Sequence, residues 1–395
     1  MKIKAVHQKI DDVLTRRVEE ILPDRESLKK IMQKRKIRVY LGIDPTGSKL
    51  HLGHTITLRK LQDFADLGHE AILVIGTGTV LAGDPSLREE ARKMISEKEI
   101  EKNIKTWKEQ AGKIVDFSKV EIKYNGDWLL KLSLGEIIKI ASKISAAKLF
   151  QREMFRRRIK SGGVVWTHEF FYPLLQGYDS VHLKTDLEIG GTDQVFNMLI
   201  GRELEEKMLK KDKFVLTCPM VLGTDGKTMS KTSGNCVWIS DPGQQMYGKI
   251  MSIRDSLIWD YFKLLTNLPL DEIAKIKKLN PREAKASLAR EIVKMYHGAN
   301  AASGAEKEFE RIFKENKAPT KMPGIRILDK EMSLLQLLVR TKLVSSKSEA
   351  RRLVSQKGIK IDSLPEDDWQ KIIRIKNGTI VQVGKRKFVK IIQTP

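Results

Sequence analysis

The chain has 395 residues, 41% of them hydrophobic, a length beyond one small domain and a composition that excludes a disordered chain. Its 73 basic against 50 acidic residues leave a net charge of +23, which points to an anionic partner such as nucleic acid or a phosphorylated ligand. Two cysteines, Cys218 and Cys236, are too few for a disulfide framework or a four-thiolate zinc site and fit a reducing compartment.

The first twenty residues carry acids early and no apolar stretch, which argues against a secretory signal, so a cytoplasmic protein without a membrane span is expected. Residues 1–35 predict two amphipathic helices broken at Pro23, with Asp24 capping the second. "IRVYLGI" (37–43) predicts a strand, and after the turn-rich "DPTGSK" a helix runs to about Gly68. "EAILVIG" (70–76) is a further buried-type strand. This strand–helix–strand rhythm predicts an α/β fold around a Rossmann-like, doubly wound parallel sheet. A charged helix over 89–115, a strand at "VEIKY" (120–124) and a mainly helical stretch over 126–179, broken at Gly162-Gly163, follow. A helix over 191–208 and a strand within "FVLTCPMVL" (214–222) lead to a Gly/Lys/Ser loop, then helices to about 316. "KAPTKMPG" (317–324) predicts a linker. The tail, 333–395, has 14 Lys+Arg against 5 Asp+Glu and differs in kind. It carries a capping box from Ser346 and Glu349, a stop at Gly358, and short strands with a hairpin turning near Gly384. The expected division is a catalytic domain over 1–242, an α-helical domain over 243–322 and a small α+β module over 333–395.

Two of only seven histidines stand in "LHLGHT", His51 and His54, around Gly53. They follow a strand and open a helix, where free N–H groups and partial positive charge favour phosphate. A metal reading needs further ligands, which no nearby His/Cys pair supplies. Taken alone, the stretch reads as surface histidines. "LGTDGKTMSKTSGN" (222–235) is a glycine-rich loop with Lys227 and Lys231. Lysines on such a loop can close over a triphosphate, and alone it reads as a solvated loop. In "FYPLLQGYD", Tyr172, Gln176 and Asp179 fall on one helical side among apolar residues, as expected of a pocket lining.

Together, the first two elements resemble the His-x-Gly-His and Lys-Met-Ser-Lys-Ser motifs of class I aminoacyl-tRNA synthetases. Thr228 stands where the first motif lysine is usual, and Lys227 lies one position earlier. The Tyr172–Asp179 spacing, "VYLGIDPTGSKLHLGH", "AGDPS", "NGDW" with Asn125, and "LEIGGTDQVFNMLIGREL" are similar to the tyrosyl-tRNA synthetases, in their second bacterial subtype. After "GDPS" the family usually continues with Gly and a basic residue; here Leu87 intervenes before Arg88.

This resemblance implies activation of L-tyrosine by ATP with Mg²⁺ and transfer to tRNA(Tyr), by a homodimer that binds neither membrane nor DNA. It implies phosphate contacts from His51, His54 and Thr46, with Lys231 closing over them. It implies tyrosine contacts from Tyr40 and Asp179 at the phenol, Asp84, Tyr172 and Gln176 at the ammonium, and Gln194 at the carboxylate. The remaining ATP contacts fall to Gly42, Asp44, Gly53, Gly191, Asp193, Lys227, Met229, Ser230 and Thr232, with no dedicated metal ligand. The tail resembles a small ribosomal-protein RNA-binding domain, which implies RNA contacts from Lys347, Arg351, Arg352, Lys357, Lys385 and Arg386. Two alternatives remain: a tryptophan-specific synthetase, against which a donor–acceptor pair for a phenol argues, and a synthetase-like RNA-binding protein without amino-acid activation.

Overall fold

A computed structural model describes residues 9–86, 96–229, 233–315, 317–320, 322–384 and 387–393. Six strands form the main sheet: β1 (Glu20–Leu22), β2 (Arg38–Ile43), β3 (Glu70–Ile75), β4 (Val120–Tyr124), β5 (Leu187–Gly191) and β6 (Phe214–Cys218). Their spatial order is β1-β6-β5-β2-β3-β4. All neighbours are parallel except the edge strand β1, which runs antiparallel to β6. β6 is buried throughout and β3 beyond its first residue, so both read as continuous apolar runs.

Two strands differ from the sequence expectation. β1 lies where the last turn of the first helix was expected; Ile21 pairs opposite Leu216, and the sheet edge outweighs three residues of helical pattern. Asp24 does cap the following helix, α1 (Arg25–Lys34), accepting from the Ser27 N–H. β5 was not expected at all. It matters most for the site, because the chain builds β2, β3 and β4 outward in one direction and β5 and β6 in the other. The crevice beyond the carboxyl ends of β2 and β5 is therefore the topological switch point, where such sheets receive ligands.

Four longer helices accompany the sheet, α2 (His54–Asp66), α3 (Glu97–Ala111), α4 (Thr167–Leu183) and α5 (Val195–Leu209), of which α2 and α4 line this crevice. Short helices between residues 126 and 160 precede α4. Ile140, Ile144 and Leu149 of that segment share a core with Leu174 and Val181 of α4 and with Leu204 of α5. A buried fork fixes the base of α4, with Arg158 Nη1 donating to both Glu169 oxygens at 2.9 Å. α4 and α5 cross at glycines: a Cβ on Gly177 would meet Leu204 Cδ1 at 2.8 Å and the Gly201 Cα at 3.1 Å.

The chain divides into two compact units, the first holding Met1–Pro242 with Lys249–Ile292, the second Gly243–Gly248 with Val293–Pro395. Much of the expected separate helical domain thus packs into the first unit. Arg17 Nε donates to the Leu264 carbonyl at 2.9 Å and Arg16 to the Thr266 carbonyl at 2.7 Å.

In the second unit, helix α6 (Ala299–Phe313) precedes β7 (Gly324–Arg326), β8 (Glu331–Ser333), α7 (Leu334–Arg340) and α8 (Lys347–Ser355). β9 (Ile359–Ile361), β10 (Leu364–Pro365), β11 (Ile372–Arg374), β12 (Ile380–Val383) and β13 (Lys387–Ile392) complete it. The five-stranded sheet runs β10-β9-β12-β13-β7, and β8 pairs with β11. The small module therefore starts before the expected residue 333, because β7 pairs in parallel with β13 and β8 with β11. Ile327, Leu334, Leu337, Ala350, Val354 and Val381 anchor its core. The expected capping box is offset by one residue: Ser346 Oγ accepts from Glu349 N, but the Glu349 carboxylate turns to Ser345. Lys357, at φ 55°, takes the left-handed turn after α8 in place of Gly358. Among the described residues, no helix is long and apolar enough to cross a membrane.

Asp186 clamps the entrances of β2 and β5. It accepts from both Arg35 Nη atoms at 2.8 and 2.9 Å, from Arg38 N at 2.9 Å and from Lys211 Nζ at 3.1 Å. Burial alone would raise this carboxyl, but the Arg35, Arg38 and Lys211 donors outweigh it and hold it at about 2. A carboxyl lowered on folding contributes stability that is complete above its unfolded pKa, near 4, and is lost as pH falls toward the folded value. Asp186→Asn should cost ~2 kcal/mol at neutral pH, with the gap to wild type shrinking below pH 4. Urea denaturation at pH 7 and pH 3 measures both.

Candidate active site

The carboxyl ends of β2 and β5 border a cavity of about 340 Å³. At one side stand Thr46, His51, Gly53 and His54. His54 is the first residue of α2, while His51 precedes it in a bridge to Trp238, so the two rings meet by a local turn as well as by helical spacing. Their centroids are 3.8 Å apart. His51 Nδ1 accepts from Gly53 N and His54 Nδ1 accepts from His51 N, both at 3.1 Å. A backbone N–H on each Nδ1 places the ring proton of the neutral form on Nε2, which makes both rings donors on that atom. Gly53 is required by its neighbour, since a Cβ there would stand 2.9 Å from the His51 ring.

A chain of hydrogen bonds follows the cavity wall. Tyr172 Oη donates to Asp44 Oδ2 at 3.0 Å, and Thr79 Oγ1 donates to Asp44 Oδ1 at 2.8 Å. Asn125 Nδ2 reaches Thr79 Oγ1 and Asp179 Oδ2, both at 3.0 Å, and Trp128 Nε1 donates to Asp179 Oδ1 at 2.9 Å. The Trp128 indole is stacked on His182 with centroids 4.5 Å apart. Asp179 is fully buried. Burial raises its carboxyl to about 8, aided by Glu188 and Asp44 and opposed by the Asn125 and Trp128 donors.

Deeper polar residues cross-link the rest. Asp84 accepts from Ser86 N at 2.9 Å, from Ser86 Oγ at 2.7 Å and from Gln194 Nε2 at 2.9 Å. Gln194 also donates to Asp193 at 3.0 Å and accepts from Asn197 at 2.8 Å, so its amide is committed to the wall. Burial raises the Asp193 carboxyl. Gly42, Asp44, Asp84, Tyr172, Gln176, Gly191 and Met229 border the same cavity, together with Thr228.

Two expected contacts stand elsewhere. Tyr40 is fully buried behind the cavity, its hydroxyl 2.9 Å from Ser180 Oγ. Lys227 is exposed, and its loop is pinned by Asn235 Nδ2, which donates to Asp225 at 2.9 Å and to the Thr228 carbonyl at 3.0 Å. Ser230, Lys231 and Thr232 lie outside the described residues, as do Leu87 and Arg88. In the small module Lys347, Arg351, Arg352 and Lys357 are exposed, with Arg351 stacked 3.6 Å over Trp369, while Lys385 and Arg386 lie outside the described residues. No group of three metal-ligating side chains occurs among the described residues.

Sequence reasoning missed Trp128, Arg152, Ser180, Glu188 and Lys213. Arg152 is buried and stands 3.5 Å from Asp84. Glu188 and Lys213 pair inside the protein, and their signal was legible: one opposite charge in each of two adjoining apolar runs, "LEIGG" and "KFVLTC".

The profile described as tRNA synthetases class I (W and Y) matches residues 32–314, and the tyrosine–tRNA ligase SYY-like C-terminal domain matches 314–391. The tyrosine–tRNA ligase of Thermotoga maritima is 43% identical over 386 residues, 96% of each chain. That of Carboxydothermus hydrogenoformans is 42% identical over 398 residues, 96% of this chain and 97% of the relative. Among solved structures, a C-terminally truncated mitochondrial tyrosyl-tRNA synthetase of Aspergillus nidulans aligns with TM-score 0.65 at 21% identity, over 78% of this chain and 99% of its own. The tyrosyl-tRNA synthetase of Archaeoglobus fulgidus complexed with L-tyrosine aligns with TM-score 0.60 at 22% identity, over 76% of this chain and 99% of its own. These structures share the fold.

The raised Asp179 carboxyl has a measurable consequence. Between pH 4 and about 8 the folded protein holds this proton while the unfolded chain has lost it, so stability falls as pH rises through that window. Trp128→Phe removes one donor to the ionised form and should carry the decline to higher pH, whereas Asp179→Asn should abolish it. Melting temperatures of the three proteins from pH 4 to 9.5 test this; superposable wild-type and Trp128→Phe profiles would contradict it.

Proposed function

The chain belongs to the class I tRNA synthetases of the tryptophan and tyrosine group, and we propose how its cavity carries out the work of a tyrosine–tRNA ligase. The enzyme activates L-tyrosine with ATP to tyrosyl-adenylate, then transfers tyrosine to the terminal ribose of tRNA(Tyr). The observation that carries the cavity assignment is Asp179, a buried carboxyl group held by Trp128 and Asn125 on the cavity wall. It pairs with the phenol O–H of tyrosine. Phenylalanine would leave that polar group buried without the partner it needs. Tyr40 contributes by packing behind the wall, with its hydroxyl engaged by Ser180.

The substrate ammonium lies among Asp84, Tyr172 and Gln176. Gln194 serves by holding Asp84 and Asp193 in place. Gly191 and Asp193 take the ribose of ATP, Gly42 and Met229 border its path, and Asp44 stands beside the nascent adenylate. The tyrosine carboxylate attacks the α-phosphorus; an oxygen–phosphorus bond forms, the bond to the bridging oxygen breaks, and pyrophosphate leaves. No side chain becomes covalently attached. His51, His54 and Thr46 stabilise the developing charge as positioned donors, and Lys231, with Lys227, Ser230 and Thr232 of its loop, closes over the phosphates. Mg²⁺ bound to the triphosphate would supply counter-charge there, and no cluster of metal-ligating side chains is dedicated to it among the described residues.

Outside the cavity, Lys347, Arg351, Arg352, Lys357, Lys385 and Arg386 meet tRNA phosphates. Large apolar side chains exposed between residues 130 and 171, among them Leu134, Ile138, Ile159 and Trp166, support a homodimer contact. A cytoplasmic setting fits this work.

Tyrosine should drive ATP–pyrophosphate exchange while phenylalanine and tryptophan do not; exchange with none of the three refutes the assignment. Asp179→Ala should lower tyrosine-dependent exchange roughly 100-fold, a loss of about 3 kcal/mol, in a protein that still folds. A chain ended before β7 should keep tyrosine-dependent exchange but charge tRNA weakly, with a shallower salt dependence of tRNA binding. Equal loss of both steps would refute a separate RNA-binding role.

A further inference from the structure

We propose that Lys213 and Glu188, a buried ion pair whose acid borders the cavity and whose base lies behind it, form a positioning device that fixes the orientation of the Gln176 carboxamide and so creates the acceptor for the substrate ammonium. The inference rests on the tyrosine reading of the cavity and goes beyond it to residues that never touch the phosphates.

Lys213 Nζ pairs with Glu188 Oε2, and the two side chains are 0% and 2% exposed. Lys213 also donates to Ser180 Oγ at 2.7 Å. The space it occupies exists because residue 201 is glycine: a Cβ there would stand 2.6 Å from Nζ. The other Glu188 oxygen accepts from Gln176 Nε2 at 2.9 Å. A carboxylate can only accept, so this bond dictates which end of the amide faces it. The nitrogen is committed to Glu188, and Gln176 Oε1 is left buried with no hydrogen-bond partner in the protein. Gln176 borders the cavity. An unsatisfied buried carbonyl oxygen is costly and is relieved by a donor, which the ammonium of an amino acid supplies.

The pair's charge is essential to this orientation. Without Lys213, Glu188 would be a buried carboxylate with no counter-charge, which the fold relieves by moving it away from Gln176. A Gln176 amide freed from that acceptor can turn, and its NH₂ then faces the substrate's own N–H donors. Glu188 therefore acts on the substrate through Gln176. The contrary reading, direct attraction of the ammonium by the Glu188 charge, predicts the opposite outcome for loss of Lys213, because a competing cation would be removed.

Calorimetric titration of the full-length enzyme with tyrosine, tyramine and 3-(4-hydroxyphenyl)propionate separates these readings. Tyramine keeps the ammonium and lacks the carboxylate; the propionate keeps the phenol and carboxylate and lacks the ammonium. In Glu188→Gln, which preserves shape, and in Lys213→Met, tyrosine and tyramine should bind about tenfold or more weakly. The propionate should stay within about twofold of wild type. Equal weakening of all three ligands would reduce the pair to a structural role, and undiminished or tighter tyramine binding by Lys213→Met would assign the effect to direct charge attraction; either overturns the proposal. If Lys213→Met fails to fold, as read by its melting transition, Lys213→Leu takes its place, because Glu188→Gln alone weakens ammonium ligands under both readings. Failure of the wild-type enzyme to bind tyrosine would instead overturn the reading of the cavity itself.

Discussion

Two acidic side chains, Asp179 and Glu188, are buried at the cavity wall, and the site depends on how each is kept there. Burying an acid is costly, and it is tolerated only where the group keeps its proton or finds compensating donors or charge. The two receive different compensation. Asp179 has neutral donors, Asn125 and Trp128, which satisfy part of its capacity and leave it able to accept another O–H. Glu188 has a full counter-charge in Lys213 and spends its remaining oxygen on Gln176. One acid is poised toward the cavity, and the other braces the wall.

The sheet makes this arrangement possible. At the switch between β2 and β5, helix α4 lies over a break in the strand order, and its polar face looks into the crevice instead of onto a neighbouring crossover. The wall is continuous from Tyr172 through Asp44, Thr79 and Asn125 to Asp179, so groups far apart in sequence share one hydrogen-bonded path. Such a path transmits displacement as well as support, because moving Thr79 disturbs partners at both ends of the cavity.

Most of this architecture was legible in the residues. The apolar runs of β2, β3, β4 and β6, the helix after "LHLGH" and the polar stripe of Tyr172, Gln176 and Asp179 all follow from periodicity. β5 escaped because "LEIGG" has two glycines and an acid in five residues, a poor strand by propensity; the buried charge is explained only by Lys213, the residue before the adjoining β6. β1 escaped because three residues on a sheet edge cannot outweigh a helical pattern read locally, although they can in the folded chain. β7 and β8 fall largely between the expected linker, 317–324, and the expected module, 333–395, and escaped because their pairing partners lie late in the tail. Tyr40 was placed from a motif, and a motif records which residue is present without recording which way its hydroxyl turns.

The glycine crossing of α4 over α5 also sets what kind of change the pocket can accept. With Gly177 and Gly201 in near contact, the helix bearing Gln176 and Asp179 has no slack in which to slide or roll. A catalyst recruited to a different amino acid would have to be re-specified by exchanging side chains along a rail that does not move. Larger side chains would have to find their room toward the strands, and a library aimed at new substrates should leave the two glycines untouched.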